Sequence, residues 1–290
     1  MIFNAITLIL VCQAVAISLS TWMAEKASVI GGRRLNEIDI PGAHHAGYLS
    51  VPWYNALPGL WTICQSDSIT VLLNKGVRYL DLRIAERDNT IFFSHTLLSK
   101  QKLDDALVSI QSWIKQNAGE ILILDFVIDG DYKDSNTNNA LKALPNKLQN
   151  MFGDLKMTKS DYSSLNYSQL VAKNKRIAIV GDSQFNTENI PITDSWGVTK
   201  DGNWGNLINK CMDYIKSTNV IKNGGISSIS AAVTPAQNND YSYPEKVAPD
   251  TNRVLAQVIN AYRTGRLGVI EVDFVQTELA LAVINHNDVN

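Results

Sequence analysis

Short runs of Ile, Leu and Val alternate along this chain with longer segments in which apolar residues recur every three or four positions. The short runs read as strands: Leu35 to Ile40, Val77 to Ile84, Thr90 to Ser94, Ile121 to Ile128, Arg176 to Val180, Ser227 to Val233 and Leu267 to Phe274. Several are almost unbroken in apolar side chains, the pattern of strands covered on both faces, and a parallel sheet is expected. Between them, Asp104 to Asn117 carries Leu107, Ile110, Trp113 and Ile114 at helical spacing, with Gly119 behind it as a stop. Leu141, Leu144, Leu148 and Phe152 form a second stripe, Thr251 to Tyr262 a third ended by Gly265, and Ser68 to Lys75 a shorter helix closed by Gly76. Asp182 to Asp240, rich in Asn, Ser and Gly, reads as long loops with one strand inside. Strand and helix alternate without a Pro/Ser linker or an internal repeat, which predicts an α/β fold built as one (β/α) barrel rather than two domains.

The amino terminus breaks this rhythm. No charged side chain precedes Glu25, and Ile6 to Ile17 is apolar apart from Thr7 and Gln13, followed by Ser18-Leu19-Ser20. That is the form of a secretory signal peptide, placed at residues 1–20, and it predicts a secreted protein. Its leading segment lacks Lys and Arg, so an uncleaved anchor is the competing reading. Removal of residues 1–20 takes Cys12 and leaves Cys64 and Cys211; one disulfide and two separate buried thiols are both open. Asn166-Tyr167-Ser168 is a glycosylation sequon.

Composition narrows the function classes. The 290 residues are 45% hydrophobic and 19% charged, which excludes a disordered or fibrous chain. A formal net charge of −2 provides no basic surface for nucleic acid or for an anionic bilayer, so phosphate chemistry here must use a few placed cations.

Of four His, three follow strand candidates: His44 and His45 after Leu35 to Ile40, and His95 after Thr90 to Ser94; Arg83 ends Val77 to Ile84. A parallel barrel gathers its active-site groups at the carboxyl ends of its strands, where all of these fall. Two imidazoles and a guanidinium suit attack at phosphorus, one ring taking a proton from the nucleophile, the other returning one to the leaving oxygen, and the cation meeting the charge that develops. Metal ligation is the competing reading of a His cluster, but no HxH or HExxH spacing is present. Taken singly, each His is a satisfied polar residue, Arg83 an ion pair and Asp81 a strand-end cap.

Five segments in order resemble one family. Ile40-Pro41-Gly42-Ala43-His44-His45-Ala46-Gly47 resembles the "IPGTHDSG" signature of the phosphatidylinositol-specific phospholipase C X-domain family. Gly76 to Arg83 is similar to its "G(V/A)R-x-x-D-x-R" strand and Phe93 to Leu98 to its "H-G-L-L" segment. Glu120 to Phe126 resembles its "E-x-x-I-L-D-F" strand, and Gly268 to Phe274 its closing "x-x-x-D-F/Y" strand; Thr21-Trp22-Met23 is similar to the "W-M" that opens many members. The resemblance implies a single irregular TIM-type (β/α) barrel over residues 21–290. It also implies phosphatidylinositol cleavage by internal attack of the inositol 2-hydroxyl, giving diacylglycerol and inositol 1,2-cyclic phosphate. Carried over by position, His44 is the general base, Asp273 orients it, Arg83 stabilises the transition state and His95 is the general acid, with His45 and Asp81 in support. Asp81-Leu82-Arg83 matches the bacterial type, in which Arg substitutes for a metal, so no metal and no cofactor are expected.

The chain departs from the pattern at two places. His45 stands where many members have Asp, and as a cation it would repel Arg83; Thr96 stands where Gly is usual and would narrow the pocket. The aromatic stretch Val51-Pro52-Trp53-Tyr54 through Leu60-Trp61 either inserts at a lipid interface or packs on the barrel rim. The expected partner is phosphatidylinositol or a related phospholipid at a membrane surface, met by a monomer. The alternatives are a Mg²⁺-dependent barrel phosphodiesterase on another substrate and a catalytically impaired lipid-binding relative.

Overall fold

A computed structural model describes residues 17–55, 59–129, 139–196, 224–232 and 243–289. Most of the expected signal peptide, Cys12, Cys211 and Val233 lie outside these residues, so neither the leader nor a Cys64–Cys211 bridge is placed.

Among the described residues, nine strands form one sheet: β1 Ile40–Ala43, β2 Tyr79–Arg87, β3 Thr90–His95, β4 Leu97–Lys102, β5 Leu122–Ile128, β6 Ile177–Gly181, β7 Ile192–Trp196, β8 Ile226–Ser230 and β9 Val269–Val272. The helices are α1 Trp22–Glu25, α2 Ala27–Ile30, α3 Ile69–Asn74, α4 Leu103–Gln116, α5 Asn139–Phe152, α6 Lys159–Ser164, α7 Tyr167–Ala172, α8 Pro244–Ala261 and α9 Thr277–His286. Parallel ladders run in the order β6-β5-β2-β1-β9-β8-β7, an irregular TIM-type α/β barrel with no β6–β7 ladder among the described residues.

Period-two alternation divides the strand residues between two cores. Leu80, Leu82 and Ile84 of β2 and Leu122, Leu124 and Phe126 of β5 face outward, against Leu107, Ile110 and Ile114 of α4 and Leu144 and Leu148 of α5. The intervening residues point into the barrel. There Ile40, Tyr79, Ile123, Val180, Ile226 and Val269 form a second cluster with Trp22, Met23 and Ile30 from the amino-terminal segment. Gly42 lets β1 lie between its neighbours, because a Cβ there would come within 2.9 Å of the Glu271 Cβ.

Four expectations change. Residues 35–40 are not one strand: Leu35–Glu37 is a 3₁₀ turn closed by Glu37 accepting from the Arg34 amide at 2.8 Å, and β1 begins only at Ile40. Leu35 and Ile38, both 1% exposed, are three apart, as a 3₁₀ turn requires and a strand does not. The sheet is not wholly parallel, since β3 runs antiparallel to β2 and β4, which the sequence pattern did not reveal, antiparallel to β3. Asp88 and Asn89 adopt φ of 53° and 57°, the two-residue hairpin turn whose twist matches paired strands. Third, α8 starts at Pro244 rather than Thr251. Pro244 occupies its first turn without cost, and Pro249 inside it reads from sequence as a break. Lastly, His95 ends this hairpin, not a parallel barrel strand.

Candidate active site

β1 delivers His44 and His45 directly after its last residue, the His44 amide donating to the Val272 carbonyl of β9 at 3.1 Å. Gln65, fully buried, donates to the carbonyls of His44 (2.8 Å) and Val272 (2.9 Å) and accepts from the Val275 amide, which pins the two strand ends together. Asp273 follows β9, and its Oδ1 meets His44 Nδ1 at 2.7 Å. A carboxylate only accepts, so Nδ1 carries the proton and Nε2 presents its lone pair. That Nε2 lies 3.3 Å from Nη2 of Arg83, which donates to it.

Arg83 and Asp81 lie on the inward face of β2, two residues apart. Arg83 Nε donates to both carboxylate oxygens of Asp81, at 3.3 and 3.2 Å, and the other donor to Asp81 is the His45 amide at 3.1 Å. Burial pulls the guanidinium toward neutrality, but the Asp81 and Glu271 carboxylates outweigh it and hold its pKa above the ordinary value. Arg83 is therefore a permanent cation set beside Nε2 of His44.

His95 Nδ1 donates to the Thr62 carbonyl at 2.8 Å, which leaves Nε2 as the exchangeable position. Burial lowers its pKa, as do the nearby His44 and Arg83, with the Thr62 carbonyl opposing them. The ring centroids of His44 and His95 stand 6.4 Å apart. His45 lies between them, 4.4 Å from His44 and 4.0 Å from His95 by centroid, and is 2% exposed. Burial first, then His44, His95 and Arg83, drive its pKa well below the usual histidine value. Histidine 45 is thus neutral, and the repulsion expected between an imidazolium there and Arg83 does not arise.

The turn after His95 answers the second departure. Thr96 has φ of 61°, a conformation that a glycine adopts freely and a β-branched residue only under strain. Its side chain is exposed, so it strains the turn rather than narrowing a pocket. Asp129, just beyond β5, clamps this turn: its Oδ2 accepts from Ser94 Oγ and from the Thr96 amide, each at 2.6 Å.

Asp129 and Gln65 escaped the sequence reading, because a polar residue in a loop shows its hydrogen-bond partners only after folding. Cys64 drew notice only as half of a disulfide. It is buried as a free thiol 3.7 Å from His95 Nδ1, with its pKa raised by burial and then by Asp273. Two donor triads, His44-Cys64-Asp273 and His44-His45-Asp81, bring ligand atoms within 4.8 Å of one another. Beside the second, the Arg83 guanidinium already supplies positive charge.

On the rim, Trp53 and Tyr54 are 83% and 59% exposed, while Trp61, 36% exposed, packs edge-on against Tyr243 at 4.9 Å. No helix of the described residues is long and apolar enough to cross a membrane.

The family model for the phosphatidylinositol-specific phospholipase C X domain matches residues 38–181. Curated relatives include PI-PLC X domain-containing protein 1 of Mus musculus, 35% identical over 68 residues (22% of this chain, 20% of the relative). The variant-surface-glycoprotein phospholipase C of Trypanosoma brucei brucei is 27% identical over 148 residues (40% of this chain, 41% of the relative). PI-PLC X domain-containing protein 2 of Homo sapiens is 31% identical over 123 residues (41% of this chain, 39% of the relative). The matched stretches thus span about a fifth to two fifths of these relatives' own lengths. Among solved structures, the phosphatidylinositol-specific phospholipase C of Listeria monocytogenes superposes with a TM-score of 0.70 at 17% identity, covering 93% of this chain and 99% of that one. The S. aureus enzyme gives 0.68 at 16% identity, covering 91% and 97%. The matched domain holds β1, β2 and the His95 hairpin, and on these grounds the chain belongs to the phosphatidylinositol-specific phospholipase C X-domain family.

Proposed function

We propose that this protein is a metal-independent phospholipase C-like phosphodiesterase that cleaves phosphatidylinositol or a closely related inositol phospholipid. The observation that carries the reading is the line Asp273–His44–Arg83. Nδ1 of His44 is occupied by Asp273, so only Nε2 can take a proton, and a fixed cation lies 3.3 Å from that nitrogen.

In this reading His44 Nε2 removes the proton of the inositol 2-hydroxyl, and the freed oxygen attacks phosphorus. The bond from phosphorus to the glycerol oxygen breaks, and protonated His95 returns a proton to that oxygen. Diacylglycerol and inositol 1,2-cyclic phosphate result. Arg83 leaves His44 Nε2 for the phosphoryl oxygens as charge grows on them, and Asp81 keeps the guanidinium charged and aimed. His45, neutral and packed at a tilt against His95, spaces the acid from the base. Trp53 and Tyr54 are the surface that meets the lipid, since the net charge offers no general attraction to a bilayer. A secreted monomer acting at a membrane surface fits this arrangement.

The test is turnover of phosphatidylinositol vesicles in the presence of chelator, followed by phosphorus NMR for the cyclic phosphate. His44→Ala and His95→Ala are each expected to lower the rate by at least ~10²-fold. Wild-type turnover in either variant overturns the assignment, and a requirement for Mg²⁺ with a non-inositol product selects the other phosphodiesterase chemistry.

A further inference from the structure

The opposite mouth of the barrel holds the most completely buried charge pair of the described residues, Arg78 and Glu120, both 0% exposed, with N–O contact at 2.8 Å. Its partners come largely from residues 19–24, which straddle the end of the predicted leader. Arg78 Nη2 donates to the carbonyls of Leu19 (3.0 Å) and Ser20 (2.8 Å), Nη1 to those of Leu73 and Val77 (both 2.8 Å), and Nε to Glu120. Glu120 in turn accepts from the amides of Met23 and Ala24, and Trp22, fully buried, donates from its indole to the Gly76 carbonyl at 2.9 Å. The Arg78 guanidinium also stacks over Trp113 at 4.6 Å. Upstream, the Ser18 amide donates to Glu25 at 2.9 Å, and Ile17 and Leu19 pack on the inner core.

These contacts decide where an export cleavage can fall. A cut after Ser20, the boundary expected from the small-residue stretch, would remove two of the acceptors of a buried guanidinium. Those two bonds serve a guanidinium that is 0% exposed, so the donors they satisfy would be left unpaired in the barrel mouth. A cut that keeps both acceptors therefore lies upstream of Leu19. Upstream of it, Ala14-Val15-Ala16 has small residues three places and one place before the Ile17 bond, the spacing that a leader peptidase reads.

We propose that the Ala16–Ile17 peptide bond is the processing site of this chain and that residues 17–26 remain as a clamp across the amino-terminal mouth of the barrel. Hydrolysis consumes one water, breaks the carbonyl–nitrogen bond, and leaves a carboxylate on Ala16 and an ammonium on Ile17. Ile17 lines a surface hollow with Glu25, Lys26 and Asp288. Lys26 is paired with Asp288 at 2.7 Å, so Glu25 is the carboxylate in excess there, and the new ammonium supplies the matching charge. The inference rests on export of the chain and is independent of the reaction at the other mouth, so its failure leaves the proposed phosphodiesterase chemistry standing.

The test is expression of residues 1–290 in a secreting host, with intact-mass measurement and amino-terminal sequencing of the released protein. The expected first residue is Ile17. Ala16→Gln is expected to abolish that cut, whereas Ala16→Ser is expected to leave it. Two further forms, starting at Ile17 and at Thr21 after scarless removal of a fusion partner, separate clamp from leader. The shorter is expected to melt lower by on the order of 10 °C. If the shorter form fails to fold, Glu25→Gln in the Ile17 form is expected to lower the melting point by a few degrees, and by less once the α-amino group is acetylated. A released protein starting at Thr21 or beyond, a product retaining Met1, an Ile17 start in Ala16→Gln, equal melting of the two forms or no effect of Glu25→Gln overturns the proposal.

Discussion

His44 Nδ1 and Asp273 Oδ1 meet at 2.7 Å across 229 residues of sequence, one following β1 and the other following β9. The parallel β1–β9 ladder pairs Ala43 with Val272, so the next residue on each strand is held side by side. Replacing Asp273 with Asn keeps the shape but offers an amide that can donate to Nδ1, which favours the tautomer with its proton on Nε2. The expected result is a fall in kcat on the order of 10²–10⁴ with little change in melting temperature. A kcat within threefold of wild type would remove Asp273 from the proposed base.

Acid stability follows from the two depressed imidazoles. His45 and His95 both have folded pKa values below the unfolded value of about 6.5. Below that pH the unfolded chain binds protons that the folded chain refuses, so stability is expected to fall as pH drops from about 6.5 toward the folded values. His45→Asn, whose side chain tolerates the φ of 43° at this position, is expected to flatten that loss in chemical denaturation at pH 7 and pH 5. An unchanged slope with pH would contradict a neutral buried His45.

Thr96 stores strain beside the proposed acid. Thr96→Gly is expected to relieve the left-handed conformation by about 1 kcal/mol, net of the added freedom of glycine in the unfolded chain, and to raise the melting temperature by roughly 2–4 °C. The complementary change, Asp129→Ala, removes the acceptor of both hydrogen bonds to the turn. It is expected to lower kcat about tenfold or more while Asp129→Asn retains part of the rate. Equal rates in wild type and both Asp129 variants would show that the clamp does not position His95.

The exposed aromatics make a separable claim. Trp53→Ala with Tyr54→Ala is expected to weaken binding to phosphatidylinositol-containing vesicles at least about tenfold while leaving hydrolysis of a soluble inositol phosphodiester near wild type. Vesicle cosedimentation checks the first and phosphorus NMR the second. Unaltered vesicle binding would assign these rings to the barrel rim alone.

Periodicity and motif order by themselves determined the α/β class, the barrel architecture, most strand positions and the set of candidate site residues, because a strand buried on both faces and an amphipathic helix each leave a local signature. Three features were decided only in three dimensions. The β2–β3–β4 excursion that carries His95 depends on a two-residue turn at Asp88-Asn89, whose effect is to reverse the chain rather than to colour its hydrophobicity. The protonation of His45 depends on what surrounds it: the sequence leaves its charge open, and burial beside His44, His95 and Arg83 favours the neutral ring. The partners of Arg78 lie as many as 59 residues away, at Leu19, so a residue that reads in sequence as one more strand position is instead the charge around which the amino-terminal segment closes.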